Sequence, residues 1–85
     1  GLPKSFQRIN SDINYLEQNT NVSISIYNLI GQPVKHLLND FQHAGLKDIT
    51  WDGTNDKGIK IDQGIYICQI KTEKKETSNK IQFIN

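Results

Sequence analysis

Asp52, Asn55 and Asp56 crowd into one stretch, "WDGTNDKG" at 51–58, between Gly53 and Gly58 and directly after Trp51. Oxygens at this density suit a calcium loop, two carboxylates suit acid–base work, and the same residues suit a tight turn. An EF-hand-type loop needs oxygens at its odd positions, a glycine at the sixth and a bidentate glutamate at the twelfth. Counted from Asp52, Lys57 stands at the sixth position and Gln63 at the twelfth, so the pattern fails twice and a lysine adds repulsion. A looser site of Asp52, Asn55, Asp56 and backbone carbonyls is the lesser reading. The carboxylate pair lacks a pocket, and His36, His43 and Cys68 are not spaced as a triad or as metal ligands. The structural reading is the better one. Asp and Asn make Asx-turns, Gly53 and Gly58 take positive φ cheaply, and the stretch reverses the chain after the Trp51 strand. Trp51 is expected to cap the core at its rim, with an aromatic sugar platform as the functional rival. No catalytic residue, metal ligand or cofactor is expected, and the chain reads as non-enzymatic.

The elements around this turn alternate with a period of two. "VSISIYN" sets Val22, Ile24 and Ile26 against Ser23, Ser25 and Tyr27. "GIYICQIKTE" sets Tyr66, Cys68 and Ile70 against Ile65 and Ile67, which predicts a strand covered on both sides. "KIQFIN" sets Ile81 and Phe83 against Gln82 and Ile84, "SDINYLE" puts Ile13 and Tyr15 inward, and "LKDITWD" puts Ile49 and Trp51 on one face. Turn residues separate these runs, among them Gly31 with Pro33, "HAG" at 43–45 and "EKKET" at 73–77. Seven strands follow, at 10–17, 21–28, 33–39, 46–52, 59–61, 65–73 and 76–84. The predicted fold is all-β, an immunoglobulin-like antiparallel β-sandwich. Residues 1–9 are a linker or an edge strand, and 10–85 the domain.

Composition sets the bounds. With 85 residues, one domain is the ceiling. A formal net charge of +1 and a single arginine give no footprint for nucleic acid, and no apolar run approaches a membrane span. The chain begins at Gly1 and contains no methionine, which reads as a piece of a longer protein with Gly1 a tag scar. The lone Cys68 has no partner for an internal disulfide and is expected to pack as a small apolar group in the core. "DQGIYIC" places Asp62, Gly64, Tyr66 and Cys68 in the D-x-G-x-Y-x-C form of a tyrosine corner.

The ordered motifs resemble a known family. Ile26, Tyr27, Asn28, Gly31, Gln32 and Val34 are followed by Ala44 and Gly45, then Trp51, Asp52, Gly53, Asn55 and Gly58, then Gly64 and Tyr66, then Lys80 before Ile81, Phe83 and Ile84. Over residues 13–85 this resembles the C-terminal sorting domains of the type IX secretion system of Bacteroidetes. It is also similar to the immunoglobulin-like domain of the flagellar hook-capping protein. Phe6, Ile13 and Tyr15 keep part of the family's first strand, without its Asn-Pro-Phe.

The resemblance implies a sorting signal attached to an N-terminal cargo domain in the same chain, secreted through the periplasm to the medium or cell surface. It implies as partners the outer-membrane secretion machinery and a surface sortase-like peptidase. It places recognition on Lys80, Ile81, Gln82, Phe83, Ile84 and Asn85, with Lys75 as a secondary candidate, and takes "KIQFIN" for a natural C-terminus. The alternative is an accessory Ig-like module: a spacer or carbohydrate-binding appendage of a secreted hydrolase, or a hook-cap-type assembly domain.

Overall fold

The computed structural model describes residues 7–8 and 15–84. It holds eight strands: β1 Gln7–Arg8, β2 Tyr15–Leu16, β3 Thr20–Tyr27, β4 Pro33–Gln42, β5 Gly45–Leu46, β6 Thr50–Trp51, β7 Gly64–Lys71 and β8 Glu76–Phe83. None of the described residues is helical. Four long strands form one antiparallel sheet in the order β4-β3-β7-β8, while β1 pairs with β6 and β2 with β5. The short ladders lie over one face of the large sheet, giving the two layers of an immunoglobulin-like sandwich.

Alternation decides which face is inward. Val22, Ile24 and Ile26 of β3, Cys68 and Ile70 of β7, and Ile81 and Phe83 of β8 are all buried. Leu16 and Trp51, from the short ladders, close over them. Register keeps the faces matched, with Ile24 opposite Ile70 and Ile26 opposite Cys68. Irregularities between Ile24 and Ser25 and between Ile26 and Tyr27 twist β4 as it passes β3.

Several sequence expectations need correction. The run 46–52 is broken into β5 and β6, and "IKI" at 59–61 is no strand but a single bridge from Lys60 to Thr54. Ile59 N is taken by Asn55 Oδ1, while Ile59 O and Ile61 N bond back to Asn55 N and Gly53 O within the same reversal. Strand β4 runs on to Gln42, past the expected end at 39. Tyr15 is exposed and Leu16 buried, a reversal of the expected phase that puts the fully apolar side chain inside. Of the run 10–17, residues 10–14 lie outside the described residues, as do 1–6. The outer face of β7 is not covered: Ile65 is exposed and Ile67 half-buried. Trp51 is not at the rim but in the core, 1% exposed.

The two ends of the sandwich differ. Tyr27 pairs with Pro33 and Ile67, and Gly64 with Phe83, so the β3–β4 turn, the start of β7 and the end of β8 share one end. The 52–62 loop joins them there, because Asp56 N donates to Val34 O at 3.0 Å and Gly53 packs under Phe83. Gln7 lies opposite Trp51 in an antiparallel ladder, so the chain enters β1 from this same end. It also leaves β8 there.

Candidate functional site

The loop after Trp51 is built from its own side chains. Asp52 Oδ1 accepts from Thr54 N at 3.0 Å and from Thr54 Oγ1 at 2.6 Å. The Thr54 hydroxyl bond, more than anything else around it, lowers the Asp52 carboxyl below its usual range. Asn55 Oδ1 accepts from Lys57 N at 2.9 Å and Ile59 N at 3.0 Å, and Gly58 N donates to Asn55 O at 2.9 Å. Asp56 turns away to β4, accepting from His36 N at 2.9 Å and meeting His36 Nδ1 at 2.7 Å. The backbone bond from His36, then its ring, lowers the Asp56 carboxyl. Lys35 Nζ donates to Thr54 Oγ1 and Asn55 O, both at 3.2 Å. Asp52 and Asp56 therefore hold different partners, Thr54 for the one and His36 for the other. Among the described residues no three His, Cys, Asp or Glu side chains gather as a metal ligand set.

The β3–β4 turn repeats the device. Asn28 Oδ1 accepts from Ile30 N at 3.1 Å and Gln32 N at 2.9 Å, Gly31 N donates to Asn28 O at 3.1 Å, and Asn28 N to Gln32 O at 3.0 Å. Gly31 and Gly58 sit at φ 87° and 80°. Both N-x-x-G stretches thus close as a turn with a left-handed glycine, the asparagine capping it from its first position.

The same loop forms a socket for the last strand. Gly53, at φ 76°, lies against the Phe83 ring, and a Cβ there would fall among the ring atoms Cζ and Cε1. The Trp51 ring lies 5.3 Å from Phe83, while its Nε1 donates to Thr54 O at 3.0 Å. Lys60 Nζ stands 5.4 Å over the Phe83 ring and donates to Asp52 O at 3.3 Å. Phe83 is thereby held from three sides by side chain and backbone.

Strand β8 is the edge of the large sheet. Its register pairs all run to β7, and among the described residues nothing pairs with its outer side. Lys80, Gln82 and Ile84 are exposed, Ile81 and Phe83 face the core, and Asn85 lies outside the described residues. Lys75 is exposed in the β7–β8 turn, where its carbonyl accepts from Thr72 N at 2.7 Å. Five positions of extended chain separate Lys75 from Lys80, about 16 Å, so the fold does not bring them together.

The tyrosine corner is present: Tyr66 Oη donates to Asp62 O at 2.7 Å. Burial, helped by Asp62, pushes the Tyr66 phenol up, keeping the donating form. Cys68 is fully buried, and burial raises its thiol to about 11.

A family model, the FlgD Ig-like domain, matches residues 4–76. The chain belongs to this family. No curated protein and no solved structure matches the chain significantly. The matched part of this FlgD-type Ig-like domain holds both N-x-x-G turns, the tyrosine corner, and the Trp51, Gly53 and Lys60 walls of the socket. It ends at Glu76, where β8 begins, so Phe83 itself lies beyond it. Sequence reasoning does not find Lys35, Asp56 with His36, or Lys60 as parts of this assembly. Their partners lie about twenty positions away or on another element, and no local pattern signals them.

Proposed function

We propose that this FlgD-type Ig-like domain is a non-catalytic sorting module. It directs a larger cargo, attached on its N-terminal side, across an outer membrane by the type IX machinery, by way of the periplasm to the medium or cell surface. The observation that carries this reading is β8. It is an eight-residue edge strand whose outer side is unpaired among the described residues, and Phe83 pins its end in the socket of Trp51, Gly53 and Lys60. A free edge offers its N–H and C=O groups for strand addition to a receptor, and exposed side chains at every second position supply the selection. Lys80, Gln82 and Ile84 are those side chains, and a lysine on the edge deters pairing with the wrong strand. A surface sortase-like peptidase acts after passage.

The family match favours a second reading, an assembly or accessory Ig-like module. Its carbohydrate-binding form loses its main residue, since Trp51 is buried and presents no face to a sugar.

The test fuses residues 1–85 behind a signal peptide and a fluorescent reporter, in a bacterium with active type IX secretion, beside a twin lacking 80–85. Reporter outside the cell with the full chain only is the expected result. Reporter held in the periplasm by both, with the module folded, would turn the assignment to the accessory module.

A further inference from the structure

The large sheet has two edges, and they are guarded differently. Strand β4 is ten residues long, and its register pairs all run to β3. Three of its backbone groups are nonetheless taken by partners outside any strand. Val34 O accepts from Asp56 N at 3.0 Å, His36 N donates to Asp56 Oδ1 at 2.9 Å, and Phe41 N donates to Asp40 Oδ1 at 2.8 Å. Along a strand the backbone groups of alternate residues point the same way, so Val34 and His36 both turn theirs toward Asp56. The clasp is braced, since Asp56 Oδ2 meets His36 Nδ1 at 2.7 Å and Lys35 Nζ holds the same loop through Asn55 O at 3.2 Å. Strand β8 carries no such clasp among the described residues.

The strand itself selects what it is guarded against. Two copies of β4 laid antiparallel about Leu37 and Leu38 set Val34 of each opposite Phe41 of the other, Lys35 opposite Asp40 and His36 opposite Asn39. Unlike charges then stand side by side. In that pairing Phe41 N of one copy would bond Val34 O of the other, and His36 N would bond Asn39 O. Val34 O, His36 N and Phe41 N are the three groups already occupied. We infer that Asp56, helped by Asp40, is a gatekeeper that closes the β4 edge to a second copy of this chain and leaves β8 as the edge open to strand addition. Closure of β4 stands without the sorting reading; the use made of β8 rests on it.

Sedimentation velocity over a concentration series compares the 85-residue chain with its Asp56→Ala, Asp56→Asn and Asp40→Ala forms. Amide hydrogen exchange at His36 and Phe41 shows whether each cap is gone, and thermal melting verifies the fold. Asp56→Ala should self-associate about tenfold more tightly than the wild type or more, with its His36 amide exchanging faster in dilute solution. Asp40→Ala should act in the same direction through the Phe41 amide. Asp56→Asn keeps an oxygen that accepts from His36 N and should stay near the wild type. Adding Asn39→Lys, a charge at an exposed position of the same strand, to Asp56→Ala should restore the wild-type state. Self-association of Asp56→Ala no stronger than that of the wild type, although its His36 amide is freed, would overturn the inference. So would equal association in Asp56→Asn, or association that Asn39→Lys leaves unrelieved. Secretion of the reporter with and without residues 80–85 is read separately, so closure of β4 and sorting fail independently.

Discussion

Gly53→Ala is the sharpest test of the socket. The substitution brings two costs that the molecule itself allows to be separated. One is backbone: alanine in the left-handed region costs about 1–2 kcal/mol. The other is the Phe83 ring, which occupies the space a Cβ needs, with Cε2 at 2.9 Å and two further ring atoms nearer. Displacing a packed ring costs about 1–3 kcal/mol. Gly58 and Gly31 share the conformation, at φ 80° and 87° against 76°, but have nothing within 4 Å of the place a methyl group would take. Gly58→Ala and Gly31→Ala should therefore lose only the backbone part. Gly53→Ala should lose about 2–5 kcal/mol, against a total of about 4–13 kcal/mol for a chain of this size. Urea unfolding followed by the fluorescence of Trp51, the single tryptophan, measures all three. A double variant with Phe83→Leu should lose less than the sum of its parts. Equal losses at the three glycines, or strict additivity in the double variant, would refute the socket.

Asn28→Ala and Asn55→Ala each remove a side-chain oxygen that accepts two amides, and each should cost about 1–2 kcal/mol by the same assay. Cys68→Ser should fold but lose about 1–3 kcal/mol, from a hydroxyl left in an apolar core, and native Cys68 should resist thiol reagents until urea opens the fold. Its buried thiol, raised from 9.0 to about 11, contributes stability that is complete below pH 9.0 and lost as pH rises through the folded value. At the acid end Asp52 and Asp56 lie below 3.8 in the folded chain, so their contribution is complete above that pH and lost as pH falls through their folded values; Asp52→Asn should flatten the melting temperature across this range. Calcium should leave the melting temperature unchanged, since Asp52, Asn55 and Asp56 already accept from protein donors; a calcium-dependent rise would restore the ion-loop reading.

Local pattern carried much of this fold, for identifiable reasons. The inward row of Val22, Ile24 and Ile26 and that of Ile81 and Phe83 are visible because a strand open on one side must alternate. The spacing of Asp62 and Tyr66 marks a hydrogen bond four residues long, and the bond is there. The turn nature of "WDGTNDKG" also follows from residue type, because Asx-turns and left-handed glycines are local devices. Depth is not local. Trp51 looks the same in sequence at a rim or in a core, and only the ring of Phe83 and the shape of Gly53 decide it. The phase at Tyr15 and Leu16 fails for the opposite reason: a two-residue strand has too little length for alternation to be read. Of the β8 residues singled out for recognition, the fold sorts outward Lys80, Gln82 and Ile84 from inward Ile81 and Phe83.

The common end for both chain directions has a mechanical consequence. Tension on the chain beyond Ile84, resisted by the body of the domain, meets the β7–β8 ladder at its Gly64–Phe83 end and peels it, one of its eight register pairs after another, rather than shearing all of them together. The first pair to yield is the one under the Phe83 socket. The strength of β8 against traction is then set by a single ring and the groups around it, with the remaining pairs following in sequence. The clasp that fixes the last strand at rest is also the catch that must release before the strand can be drawn out.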